Sequence, residues 1–203
     1  MAIRAGAGAL GLVSAMPSGP GVIDEVAIHQ IAARVPPPIG TFLLTSARAA
    51  GDIIAQQRRC RTNTSQLCDY VATSVYRELR QALPGIALVQ VIHVTGDESI
   101  PLARAAAEHT DALLLDSGNT ALPVKELGGT GRVHDWRVSR AIREVASVPM
   151  FLAGGLRPAN VACAMAEVGP FGLDLCSGVR TNGRLDETKL CEFFAAIEAE
   201  NRS

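Results

Sequence analysis

The sequence predicts an α/β fold in which parallel strands form a (β/α)8 barrel, the TIM-barrel architecture. Three observations predict it. Short apolar runs alternate with amphipathic helix-like runs almost to the end of the chain, which implies a parallel sheet with right-handed crossovers. The last two apolar runs break abruptly into glycine, at FLAGGL (151–156) and DLCSGVR (174–180). A buried strand looks like this when its carboxyl end opens into a loop that a ligand approaches closely, and loops after the last two strands of such barrels commonly hold phosphate. Finally, 48% of residues are hydrophobic and only 4% aromatic, the aliphatic composition of strands buried on both faces.

Seven strand candidates follow in order: Ala9–Val13, Ile39–Thr45, Thr64–Cys68, Ala87–Val94, Ala112–Asp116, Pro149–Ala153 and Gly172–Cys176. Helices are expected at 24–34, 46–59, 69–82, 98–109, 135–147, 158–168 and 186–199. Asp24, Asp69 and Asp135 stand where a carboxylate can accept hydrogen bonds from the free amides of a first turn. Pro158 suits a first turn, where its missing N–H costs nothing. Within 24–34, Val26, Ala27, Ile31 and Val35 form the expected apolar stripe. A closed barrel needs an eighth strand. The opening IRAGAGALGL reads as a helix end, a glycine turn and a strand, so strand 1 and most of helix 1 of the barrel are expected to be missing. An open doubly wound sheet is the other arrangement open to seven strands, and the glycine loops favour the barrel. No tandem repeat, low-complexity tract or linker interrupts the chain, so residues 1–203 read as a single domain.

The formal net charge is −1 and no basic block occurs, which argues against nucleic acid or an acidic membrane surface as partner. No apolar run approaches the ~20 residues of a membrane span. The first residues lack a signal-peptide layout. The five cysteines (Cys60, Cys68, Cys163, Cys176 and Cys191) are odd in number and show no CxxC spacing. They read as reduced thiols of a cytoplasmic protein. No His/Cys/carboxylate set has metal-ligand spacing, so no metal is expected. Nucleophile-elbow, Walker and dinucleotide fingerprints are also missing.

The chemistry concentrates in the last half. In FLAGGLRPANV, Gly154 and Gly155 let backbone amides approach a ligand, and the helix that follows presents its positive end to an anion. The plainer reading is a turn that requires positive φ. In DLCSGVR, Ser177 offers a hydroxyl and Gly178 permits close approach; Asp174 either faces the barrel interior or bonds to neighbouring strands. Two such loops in succession are expected to form a phosphate site. Asp116 ends the apolar run LLLDSG (113–118), at the rim of the barrel mouth. A partly buried carboxyl there can keep its proton and act as a general acid, or it can cap the loop. GGTGRVHDW (128–136), which includes Gly131, is a flexible loop able to fold over a ligand, with Trp136 read as packing. PSGPG (17–21) contains no charged group and cannot neutralise a carboxylate or phosphate. Cys68 in QLCD and His93 in VIHV stand near strand ends, where each either packs or moves protons. His29, His109 and His134 are expected on helix or loop surfaces.

In this order and spacing, DALLLDSG, GGTGRVHDW, FLAGGLRPANV and GLDLCSGVR resemble phosphoribosylanthranilate isomerase of tryptophan biosynthesis. The resemblance is strongest over residues 111–195; over 5–110, GAGALGLV and the QL of QLCD still fit. It implies a single-domain barrel and an Amadori rearrangement, turning N-(5′-phosphoribosyl)anthranilate into its 1-amino-1-deoxyketose. It further implies a phosphorylated sugar as substrate, with no cofactor and no metal. By the same resemblance Asp116 is the general acid that protonates the ribose ring oxygen. Gly154, Gly155, Ser177 and Gly178 are the phosphate loops, with the GGTG loop and its Gly131 beside them; Asp174, from its place in the last strand, is expected among the residues that bind the phosphate or substrate.

Three departures stand against the family pattern. The family's base is a cysteine in a lysine-isoleucine-cysteine-glycine motif ending the first strand, which this sequence lacks. The base is expected either from codons upstream of Met1 or from Cys68, His93 or Cys176. The family's arginine after the second strand, near the anthranilate carboxylate, has no counterpart in PSGPG, and its QLHG is QLCD here. Two further readings follow: a related phosphosugar-binding barrel with another substrate or no catalysis, and a homodimer in which a partner covers the open edge.

Overall fold

The computed structural model describes residues 1–202. Seven parallel strands make one sheet: β1 (Ala9–Val13), β2 (Gly40–Thr45), β3 (Thr64–Leu67), β4 (Ala87–His93), β5 (Ala112–Asp116), β6 (Met150–Leu152) and β7 (Gly172–Leu173). They pair strictly in sequence order, because each crossover returns the chain beside the strand it left. The helices are α1 (Ala2–Ala5), α2 (Glu25–Ala32), α3 (Ala50–Cys60), α4 (Thr73–Ala82), α5 (Ser99–Ala107), α6 (Trp136–Val145), α7 (Val161–Val168) and α8 (Glu187–Glu200). None of the described helices is long and apolar enough to cross a membrane.

The sheet curls. Gly11 and Val13 of β1 line the same cleft as Asp174 and Arg180, which lie just beyond β7. Behind this seam α1 packs on α8, with Ala2 and Ala5 against the cluster that holds Phe193 and Phe194. No hydrogen bond joins β1 to β7 among the described residues, so the (β/α) barrel sheet has an open seam there. Every residue of β5 is buried, as expected for strands covered on both faces. Alternate residues serve two cores. Val89, Val91, Ala112, Leu114 and Ala153 fill the interior with Cys68, Phe42 and Phe151. Ile92, Leu113, Leu115 and Leu152 face the helices and meet Ile142, Val161 and Phe193. Each fully buried aliphatic side chain of this kind contributes about 1.5–3 kcal/mol. Gln90 also points to the helices and is fully buried, yet satisfied. Its amide donates to the carbonyls of Leu67, Asp69 and Val91, and its Oε1 accepts from the Tyr76 hydroxyl at 2.8 Å.

Several local expectations need correction. On α2 the residue facing the core is Ile28, packed with Leu12, Leu43 and Cys60, while Val26 is 66% exposed. The core-facing stripe therefore runs through Ile28 and Ala32 rather than Val26 and Ala27. Asp24 and Asp135 do accept first-turn amides, from Ala27 at 2.7 Å and Arg137 at 2.9 Å. Asp69 does not, because α4 begins only at Thr73 and the carboxylate is occupied by Lys125. Pro158 lies in a turn before α7, where the Asn160 side chain accepts the Arg157 amide at 2.8 Å. The final strand is shorter than predicted: after Leu173 only the Asp174 amide still bonds to Leu152, at 2.9 Å, before a 3-10 turn at Ser177–Val179. A small hairpin, β8 (Arg180–Thr181) and β9 (Arg184–Leu185), follows that turn. Its two central residues, Asn182 and Gly183, have φ of 50° and 76°, the geometry an Asn-Gly dipeptide supplies most readily.

Candidate active site

The carboxyl ends of the strands open into two adjoining clefts. The smaller, of about 350 Å³, is lined by Gly129, Thr130, Gly131, Gly154, Gly155 and Ser177. The wider, of about 840 Å³, is lined by Val13, Met16, Cys68, Leu127, Cys176 and Arg180 among others. Asp116 and Asp174 line both, and so stand at the junction. The structure thus brings six of the seven sequence-predicted site residues into one wall. The seventh, Gly178, has a different position. A Cβ there would lie 1.9 Å from the Leu156 carbonyl oxygen, so glycine lets the two loops touch backbone to backbone. Gly155 has φ +63°, and a Cβ on it would meet the Arg132 and Val133 backbone at 2.7–2.8 Å. No hydrogen bond among the described residues uses the amides of Gly154 and Gly155. Those amides and the Ser177 hydroxyl are the neutral donors that an anion in the smaller cleft would find.

Asp116 is only 8% exposed. Its Oδ1 accepts the Ser117 amide at 2.7 Å, and the Ser117 hydroxyl is bonded to Thr130 Oγ1 at 2.6 Å. Asp174 is half-buried. Burial, and then the charge of Asp116, push its carboxyl up to about 6. Cys68 sits at the floor of the wider cleft and is buried. Burial first, and then the two carboxylates, push its thiol far above the ordinary cysteine range. That shift opposes a Cys68 thiolate near neutral pH. His93 pairs with Asp116 in the strand register but lines neither cleft. Its Nε2–H donates to the Cys68 carbonyl at 2.9 Å, which places the proton on that nitrogen. Of the substitutes for the family's base, Cys176 lines both clefts, Cys68 the wider one only, and His93 neither.

The segment between β5 and α6 crosses the mouth and is tied down on its far side. Lys125 reaches the Asp69 carboxylate at 2.5 Å, and the Ser18 hydroxyl donates to the Lys125 carbonyl at 2.7 Å. Pro20 lies against Gly129, where a Cβ would come within 2.7 Å of its ring. PSGPG therefore supports the loop while also lining the wider cleft. His134 lies inside, contrary to the surface position expected. Its ring meets Ser139 Oγ at 2.7 Å and abuts Gly154, and burial pushes its pKa down. His109 stacks on Tyr76 with ring centres 5.5 Å apart. Trp136 packs on the core, as expected.

Two charged residues at the site escaped the sequence reading. Lys125 lines neither cleft but anchors the loop beside them, and nothing local marks its partner 56 positions away. Arg180 had a usable signal, because the Asn-Gly turn two residues later marks a hairpin that holds it beside the Ser177–Gly178 loop. Among the described residues it is the only cationic side chain lining either cleft.

The family model described as N-(5′-phosphoribosyl)anthranilate (PRA) isomerase matches residues 49–196, a span that contains all seven predicted site residues. N-(5′-phosphoribosyl)anthranilate isomerase 2 of Methanosarcina mazei is 34% identical over 195 residues, 95% of this chain and 85% of that protein. The phosphoribosylanthranilate isomerase of Thermotoga maritima superposes with a TM-score of 0.79 at 23% identity, over 98% of this chain and 91% of that one. Another such isomerase, crystallised with reduced 1-(o-carboxyphenylamino)-1-deoxyribulose 5-phosphate, superposes at 0.76 with 22% identity, covering 98% and 91%. These likenesses extend the barrel fold to the curled sheet, and the sequence match carries the isomerase assignment. The chain belongs to the phosphoribosylanthranilate isomerase family.

Proposed function

We propose that this site rearranges N-(5′-phosphoribosyl)anthranilate to 1-(o-carboxyphenylamino)-1-deoxyribulose 5-phosphate, with Asp116 as the general acid. The observation that carries the reading is the place of Asp116, on the wall shared by the small cleft and the wide one. With the 5′-phosphate on Gly131, Gly154, Gly155 and Ser177, the ribose lies over that wall and the aryl group enters the wide cleft. Asp116 protonates the ring oxygen as the C1′–O bond breaks, and the nitrogen lone pair forms the C1′=N bond. The C2′ proton then leaves to give the enolamine, and a proton returns to C1′ as the C2′ hydroxyl gives up its own and C2′ becomes the ketone carbon. C1′ is reduced as C2′ is oxidised, so the overall step needs no external electron acceptor. Asp174 meets the ribose hydroxyls, and its raised pKa lets the carboxyl donate as well as accept near pH 6. Gly178 serves the phosphate by holding the two loops together.

In the same reading the chain acts as one domain over residues 1–203, in the cytoplasm, on a phosphorylated sugar, with neither metal nor cofactor. The test is the loss of substrate fluorescence with the purified chain and with Asp116→Asn. Removing the acid should slow turnover by about 10²–10⁴-fold, the usual contribution of acid–base catalysis, while inorganic phosphate inhibits as before. Turnover by Asp116→Asn at the parent rate would reject Asp116 as the acid.

A further inference from the structure

The substrate of the proposed reaction carries two anions, a phosphate at C5′ and a carboxylate on the aryl ring. The smaller cleft offers the phosphate neutral donors only, since its lining contains no lysine or arginine. The clefts share Asp116, Gly129, Asp174, Leu175 and Cys176, so one ligand can extend from the first into the second. The second has apolar walls at Val13, Met16, Leu44 and Leu127, suited to an aromatic ring, and one cation, Arg180. Its remaining charges, Asp116 and Asp174, are of the wrong sign for a carboxylate.

The guanidinium is held at one nitrogen and only partly used. Nη1 donates to the Gly183 carbonyl at 2.8 Å, across the hairpin turn. Nε is buried and has no partner. Arg180 makes no ion pair among the described residues, and neither Nε nor Nη2 donates a hydrogen bond there. The backbone beneath is braced as well: Lys189 Nζ donates to the Arg180 carbonyl at 3.0 Å, and the Asp186 amide bonds to Val179 at 2.9 Å. What remains is Nη2 and, shielded behind it, the buried Nε–H; once the side chain turns to admit a ligand they form an edge of two parallel N–H donors whose spacing matches the two oxygens of a carboxylate. A buried donor left without a partner is costly, and a carboxylate arriving at this edge removes that cost.

We infer that Arg180 binds the aryl carboxylate of the substrate and selects for an ortho-carboxylated aglycone. This rests on the proposed function and supplies the carboxylate partner that PSGPG does not contain. Arg180 is a specificity-determining residue and moves no proton.

The test measures binding by calorimetry for the parent chain, Arg180→Met and Arg180→Lys. The ligands are reduced 1-(o-carboxyphenylamino)-1-deoxyribulose 5-phosphate, its phenylamino analogue without the carboxylate, and ribulose 5-phosphate. Removing a hydrogen bond between charged groups should weaken the carboxylated ligand by roughly 10–100-fold in Arg180→Met. The other two ligands should bind all three proteins within about twofold, a spread far below that loss. Arg180→Lys should recover part of the loss, because it keeps the charge without the fork. Equal weakening of ribulose 5-phosphate would place Arg180 on the phosphate and overturn the inference. So would an unchanged affinity for the carboxylated ligand in Arg180→Met. A parent chain that binds the two phosphosugars without the carboxylate but not the carboxylated one fails the proposed function itself.

Discussion

Gly178→Ala isolates the contact between the two glycine loops to which the proposed function assigns the phosphate. Gly178 does not occupy the left-handed region, so alanine meets no backbone penalty of its own there. The obstacle is steric. The new methyl would lie 1.9 Å from the Leu156 oxygen, 2.9 Å from its carbonyl carbon and 3.3 Å from the Arg157 Cα. All three are backbone atoms, so no side chain can swing aside. Reaching an ordinary contact of 3.4 Å requires the loops to part by about 1.5 Å. Both are anchored close by. The Ala153 amide bonds to Leu115 at 2.7 Å, Asn160 donates to the Gly155 carbonyl at 3.1 Å, and the Asp186 amide holds Val179 at 2.9 Å. Overpacking against anchored backbone costs about 1–3 kcal/mol. For a chain of this size each kcal/mol lowers the melting midpoint by roughly 2–4 °C. A loss of about 5 °C is therefore expected, with KM raised and phosphate inhibition weakened together. A displacement near 1 Å in a positioned site can cost on the order of 10²-fold in rate. Calorimetry gives the midpoint, and competition by inorganic phosphate in the fluorescence assay gives the affinity. A Gly178→Ala protein with the parent's midpoint and phosphate affinity would refute the claim that these loops touch through backbone.

Two other outcomes are expected. The Asp174 pKa is raised from 3.8 to about 6, so its contribution to stability is full below pH 3.8 and is lost as pH rises through about 6. Asp174→Asn should therefore gain on the parent across that window, by at most about 3 kcal/mol at pH 7, and urea midpoints that differ equally at pH 4 and pH 7 would contradict it. In native protein at pH 8, an alkylating reagent should modify the exposed Cys163 and Cys191 and spare Cys60 and Cys68, which are buried. Burial holds the Cys60 thiol up at about 11 and the Cys68 thiol higher still, so peptide mapping that finds Cys68 among the fast sites would mean the floor of the wide cleft is wet and charged.

The parallel sheet was legible because its signals are local and repeated. Seven apolar runs, each bounded by turn residues, need no knowledge of the rest of the chain. The glycines at 154, 155 and 178 were legible for a related reason, since close backbone approach admits no other residue. Helix faces were read less well. Val26 and Ile28 are equally apolar, and which of them meets Leu12 and Leu43 depends on how α2 sits on the sheet. Asp69 looked like a cap because its neighbours fit a helix start, but a lysine from the loop over the mouth takes its carboxylate.

By itself, then, the sequence determined the strand order, the glycine cradle and the carboxylate at its edge. These follow from short-range chemistry: hydrophobic period, turn residues and the steric minimum of glycine. Only the tertiary structure decided how the site is charged. Curling the sheet brought Asp174 beside Asp116, so that the Asp116 charge opposes ionisation of Asp174 and both carboxylates oppose a Cys68 thiolate. It also turned His93 out of the clefts and left Arg180 as the one cation lining them among the described residues. Charge interactions and burial depend on distances between residues far apart in the chain, and those distances exist only once the sheet has curled.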